Sequence, residues 1–142
     1  MKKIYLLFIL ALALALALSA CQTVHEKIEP LDDISKISIS ESGGYGGINN
    51  DFFMTISEKK TISGIEGVIK RANGKKHVVD VSDDKPDYDL LINYADGGTH
   101  LLQLVLGSEG EESIFTYVGH EKNGFYVSPE DTKLLRDSLE LQ

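Results

Sequence analysis

Between Tyr88 and Leu106 two apolar-rich stretches lie on either side of a turn, each with apolar residues at every second position, and this pattern restricts the fold more than any other. Leu90, Ile92 and Tyr94 fall on one face of a strand at 88–94, and Leu102, Leu104 and Leu106 on one face of a second at 100–106. Ala95-Asp96-Gly97-Gly98 supplies the reversal of a hairpin. Two strands that each carry one apolar face need a partner layer to cover it, so the rest of the chain must provide further strands and helices.

The flanking segments supply them. Ile37 and Ile39 alternate with Lys36, Ser38 and Ser40, a glycine-rich turn follows (Gly43, Gly44, Gly46, Gly47), and Phe52, Met54 and Ile56 then alternate with Phe53 and Thr55. Ser57 can cap a helix in which Ile62, Ile65, Val68, Ile69 and Ala72 share one face, with Asn73-Gly74 ending it. Gly64 and Gly67 inside it each cost about 1 kcal/mol relative to alanine, so either the helix is weak or another backbone packs close to it there, and the close backbone is the expectation. Strands are expected again at 77–81, 114–118 and 125–127, the last after Asn123-Gly124. Ser128 as N-cap, Pro129 in the first turn, and Glu130 and Asp131 at the positive end of the dipole open a closing helix, whose apolar stripe is Leu134, Leu135 and Leu139. The expected class is α+β: a largely antiparallel sheet of about six to seven strands with two helices, in a single domain over 34–142.

The first 33 residues read differently. Lys2 and Lys3 precede an unbroken apolar run from Ile4 to Leu18, with the small residues Ser19 and Ala20 after it, which are the three parts of a secretory signal. At 15 residues the run falls short of the roughly 20 that cross a bilayer core. Leu18-Ser19-Ala20-Cys21 resembles the lipobox of bacterial lipoproteins. That resemblance implies cleavage between Ala20 and Cys21, a diacylglycerol on the Cys21 thiol, and an extracytoplasmic protein anchored to the cell membrane. The alternative is an ordinary thiol beyond a conventional signal cleavage. Two acyl chains suffice for stable attachment where one does not. Residues 1–20 are thus the expected signal peptide, and 21–33 the lipidated cysteine and a tether, which by random-coil scaling reaches on the order of 20 Å.

Loss of the leader removes two lysines and leaves 12 basic and 22 acidic residues, a net charge of −10. So acidic a chain is a poor partner for nucleic acid or anionic lipid, whose binding depends on Lys and Arg. Cys21 is the sole cysteine, so no intramolecular disulfide can form, and once acylated it offers neither thiol catalysis nor a metal ligand.

Chemistry-bearing patterns are sparse. His25, His77, His100 and His120 show none of the spacings that place two imidazoles on one face for zinc. Asp80, Asp83, Asp84, Asp87 and Asp89 form the densest acidic cluster, and Asp83, Asp84 and Asp87 are its candidate calcium ligands, yet the spacing departs from the calcium loop and the expectation is no cofactor beyond the covalent lipid. Ser57-Glu58-Lys59-Lys60 and Ser82-Asp83-Asp84-Lys85 match Ser-x-x-Lys without its companion motifs. Gly43 to Gly47 joins two strands and so lacks the strand-to-helix context of a phosphate cradle.

Pro86-Asp87-Tyr88-Asp89-Leu90-Leu91-Ile92-Asn93-Tyr94, then Asp96-Gly97, Leu104-Val105-Leu106-Gly107 and Gly124-Phe125-Tyr126-Val127 before the terminal helix, resemble small Gram-positive lipoproteins of the YhfM-like type. The resemblance implies a membrane-anchored accessory protein and assigns no functional residue beyond Cys21. The expected function is a non-catalytic binding or interaction module recognising an envelope protein or small ligand, with contacts at Tyr45 and Phe52 or at Tyr117 and Tyr126. The alternative is a small envelope hydrolase, metal-assisted or otherwise, using His100 or His120 with the aspartates of 83–89.

Overall fold

The computed structural model describes residues 2–7, 9, 32–72, 76–78 and 85–140, and of 76–78 the backbone alone. Among these residues seven strands form one sheet: β1 (Ile34–Glu41), β2 (Met54–Ile56), β3 (Lys76–Val78), β4 (Tyr88–Tyr94), β5 (Thr99–Val105), β6 (Ser113–Tyr117) and β7 (Asn123–Val127). Two helices accompany it, α1 (Lys59–Ala72) and α2 (Pro129–Ser138). The order across the sheet is β2-β1-β4-β5-β6-β7-β3, and every neighbouring pair is antiparallel. The chain is therefore of α+β class. Residues 2–7 are helical, and no helix among the described residues is long and apolar enough to cross a membrane.

The predicted hairpin is the centre of the sheet. Leu90 pairs with Leu102 and Tyr88 with Leu104, and across the next ladder Leu102 meets Tyr117 and Leu104 meets Phe115. Period-two alternation places all of these on the face that the helices cover. Ile37, Ile39, Leu90, Ile92, Leu102, Leu104, Phe115 and Phe125 are buried there together with Ile65 and Ile69 of α1. Helix α1 touches both β1 and β7, which three strands separate, so the sheet curves around it.

The five residues expected on the inner face of α1 are its buried ones. Two expectations fail. Among the described residues no backbone is found against the helix glycines: a Cβ at Gly64 would meet nothing within 4 Å, and one at Gly67 would lie 3.1 Å from Arg71 Nη1, so the space at Gly67 serves a side chain of the same helix. The cap is shifted too, since Ile62 N donates to Glu58 O and the helix begins at Lys59. In α2, Leu135 and Leu139 are buried, whereas Leu134 is 46% exposed and leaves the predicted stripe.

The chain enters the domain pinned on three sides. Lys70 Nζ lies 2.7 Å from Asp32 Oδ1, Ala95 N donates to Asp33 O at 2.9 Å, and Ile34 N donates to Glu66 Oε1 at 3.3 Å. Asp33 turns the chain into β1 with a φ of 61°, a conformation aspartate tolerates better than most residues.

Candidate functional site

The last turn of α1 and the first turn of α2 frame a cleft of about 510 Å³, lined by Arg71, Ala72, Tyr126, Ser128, Glu130, Asp131 and Leu134. The local sequence dictates its geometry. Ser128 takes extended backbone angles and its hydroxyl accepts from Asp131 N at 3.2 Å, capping α2 as the sequence predicts. The cap projects Asp131 back toward α1, where Arg71 donates from Nε to both carboxylate oxygens (3.1 and 2.9 Å) and from Nη2 to Oδ1 at 2.7 Å. The carboxylate is nearly buried and the guanidinium about half exposed, at 10% and 55% of their side-chain areas. These hydrogen bonds, opposed by some loss of solvation and aided by the charges of Asp131 and Glu130, hold the Arg71 pKa above its ordinary value. Under α2, Thr132 Oγ1 meets Ser113 Oγ at 2.8 Å, and Ser113 accepts from Gly107 N at 2.9 Å, fixing the helix to β6.

On the other side of the sheet, Ser40, Asp89, Gln103 and Thr116 stand in register across four strands, all essentially buried. The glycine-rich segment covers them. Gln103 Nε2 donates to Gly44 O (2.9 Å), Gly47 O (3.1 Å) and Asp89 Oδ1 (3.1 Å), Asn49 N donates to Asp89 Oδ2 at 2.8 Å, and Ser40 Oγ donates to Asn49 O at 2.6 Å. Gly44 and Gly46 take φ values of 118° and 93°, which a side chain would resist, so this close wrap depends on glycine. The far end is tied to the β6–β7 turn. Partial burial pushes the Glu121 carboxyl up, but N–H groups of Gly119, Glu121 itself and Gly46, with His120 beside them, outweigh it and leave the pKa below its ordinary value.

The structure distributes the predicted contact residues. Tyr45 does not stand out as a loop tip: it is half-buried, with its hydroxyl inaccessible. Phe52 is half-buried, while its neighbour Phe53 is exposed and lies edge-on to Tyr88 with ring centroids 6.1 Å apart. Tyr117 and Tyr126 do not share a patch, because Tyr117 packs with Phe125 on the helix face and Tyr126, the next residue in β7, points to the opposite side. Of the four, Tyr126 alone lines the cleft.

The histidine and aspartate sets also separate. His100 sits in a row of rings, with Tyr94 Oη 2.6 Å from its Nδ1 and Tyr117 edge-on at 5.9 Å. It pairs across the hairpin with Ile92, so Asp89 is on the opposite face, and the exposed Asp87 accepts from Leu106 N at 2.7 Å. His120 is exposed in the β6–β7 turn. Asp83, Asp84, Ala20 and Cys21 lie outside the described residues, among which no three His, Cys, Asp or Glu side chains gather as metal ligands. Sequence reading missed Arg71, Asp131 and Gln103. A glycine four residues before an arginine on one helix is the signal that marks Arg71, since that spacing stacks the two positions.

No protein-family model and no curated protein sequence matches the chain. Among solved structures it is similar to a thioesterase-like protein from Clostridium sporogenes, with 16% identity, a TM-score of 0.65, and coverage of 82% of this chain and 100% of that one. At that identity the similarity establishes a shared fold.

Proposed function

We propose that this chain is an extracytoplasmic lipoprotein, held at the cell membrane by a diacylglyceryl group on Cys21, whose domain is a non-catalytic module binding an envelope protein or small ligand at the α1–α2 cleft. The observation that carries the reading is the state of the charged pair in that cleft. Asp131 is clamped by three hydrogen bonds from Arg71, and a guanidinium does not give up its proton, so the pair forms a fixed wall suited to recognition and poorly suited to proton transfer. Leu134 adds an aliphatic surface beside it. The lipobox at 18–21 supports the anchor.

Crosslinking on intact cells, with the Cys21→Ala form as a mislocalised control, tests both parts. The expected outcome is a discrete partner recovered with the anchored form and lost with Cys21→Ala, which is also released from the membrane fraction. Recovery of abundant neighbours alone counts against a protein partner, and a Cys21→Ala chain that stays membrane-bound counts against the anchor.

A second reading, a small envelope hydrolase, draws on the thioesterase-like description of the structural neighbour and on the Tyr94–His100 hydrogen bond. Thioester hydrolysis that His100→Ala abolishes while the melting temperature holds would favour it.

A further inference from the structure

We propose that the buried nest beneath the glycine-rich segment is a calcium site, with Asp89 Oδ1, Gln103 Oε1, Gly44 O and Gly47 O as its protein ligands. It stands apart from the α1–α2 cleft and does not depend on the binding-module reading. Two buried groups there have needs that the described residues do not meet. Asp89 is fully inaccessible, and its carboxylate receives two neutral donors, Asn49 N at 2.8 Å and Gln103 Nε2 at 3.1 Å. No Lys, Arg or His among the described residues pairs with it. A buried carboxylate is costly unless a cation or a full set of donors compensates it. Gln103 is equally inaccessible, and its Oε1 accepts no hydrogen bond. Orphaned buried acceptors are rare in folded proteins, and each calls for a physical reason.

A cation in the nest accounts for both. Gln103 Nε2 has two hydrogens, yet three acceptors surround it: Gly44 O at 2.9 Å, and Gly47 O and Asp89 Oδ1 at 3.1 Å. Three oxygens converging on one point suit a coordination sphere better than an amide nitrogen. Turning the Gln103 amide over exchanges its oxygen and nitrogen, which brings Oε1 to about 3 Å from those three oxygens. Neighbouring ligands about 2.4 Å from a seven-coordinate calcium ion have nearly that spacing. Backbone carbonyls, an amide and one carboxylate are the hard oxygen donors that calcium takes, whereas magnesium keeps much of its own water and fits such a cage poorly. Without the ion, four oxygens so close would repel one another, so the amide presents its nitrogen and leaves Oε1 without a donor. A single carboxylate among neutral ligands makes a weak site, with a Kd of about 10⁻⁴ to 10⁻³ M.

The test is calcium titration of the full chain in neutral detergent, followed by the Gln103 side-chain NH2 signals in NMR and by thermal melting. Magnesium and choline chloride at equal ionic strength are the controls. Calcium at about 10 mM is expected to move both Gln103 NH2 signals, to slow hydrogen exchange at 43–49, and to raise the melting temperature by about 5 °C. Asp89→Asn is expected to lose that response. Gln103→Glu puts a second carboxylate in the nest, and is expected to melt below the parent in EDTA and to regain most of the loss in calcium. Unmoved Gln103 signals overturn the site. So does a melting shift that choline chloride reproduces or that Asp89→Asn retains, since either is mere screening of an acidic surface. An equal response to magnesium overturns the assignment to calcium. Should Asp89→Asn fail to fold, Gln103→Glu decides, because a loss that calcium leaves unrepaired sinks the site.

Discussion

The two faces of the sheet are buried by opposite means. On the helix face, Ile37, Leu90, Leu102, Leu104, Phe115 and Phe125 exclude water through apolar area against α1 and α2, an interaction without direction that tolerates small shifts. On the other face, Asp89 and Gln103 are just as inaccessible, yet a few aimed hydrogen bonds from a glycine-rich segment hold them so. One face is sealed by mass, the other by aim. A seal made of directed bonds opens locally when one donor is lost, whereas the apolar face fails only with the whole domain.

That contrast can be broken experimentally at three strengths. Phe115→Ala removes the largest kind of core side chain and is expected to destabilise the domain by about 3–5 kcal/mol, with urea unfolding still a single transition. Gln103→Leu keeps the volume but deprives Gly44 O, Gly47 O and Asp89 Oδ1 of their donor, at an expected cost of about 2 kcal/mol. Hydrogen exchange should then speed up at 43–49 well beyond the change in β4 and β5. Uniform acceleration across both faces would erase the distinction between them.

The smallest effect is at Glu121, where the folded pKa is depressed. A depressed carboxylate stabilises the fold above its unfolded pKa and loses that contribution as pH falls through its folded pKa. The stability difference between the parent and Glu121→Gln should therefore be full at neutral pH and vanish in acid. A difference independent of pH would mean that the glycine segment does not use the charge.

Element positions were largely legible because burial follows period. The inner face of α1, the strand at 88–94 and the Ser128 cap all come from local spacing, and the structure keeps them. What local spacing does not carry is which elements meet. Sheet order places β1 beside β4 and β3 beside β7, and nothing in the alternation encodes that choice. The cleft was illegible for the same reason: Arg71 and Asp131 are 60 residues apart, and local spacing marks Asp131 only as a dipole-complementing anion and says nothing of Arg71. Tyr45 shows the converse case. A tyrosine among glycines reads as a displayed contact, whereas the glycines let the segment fold down and take the ring with it.

The pinned entry of the chain sets a compass bearing for the domain. Asp32 is fastened to Lys70, the residue before Arg71, so the leash leaves from the pole of the molecule that bears the cleft. Ten residues separate Cys21 from Asp32, eleven steps along the chain with a contour of at most roughly 40 Å. For a chain hung from Cys21, the point of entry at Asp32 never strays farther than this from the bilayer surface. For a chain so anchored, a membrane-embedded partner of the kind proposed would meet the cleft in a thin layer of solvent, at an effective concentration in the millimolar range, where weak individual contacts are enough for lasting association.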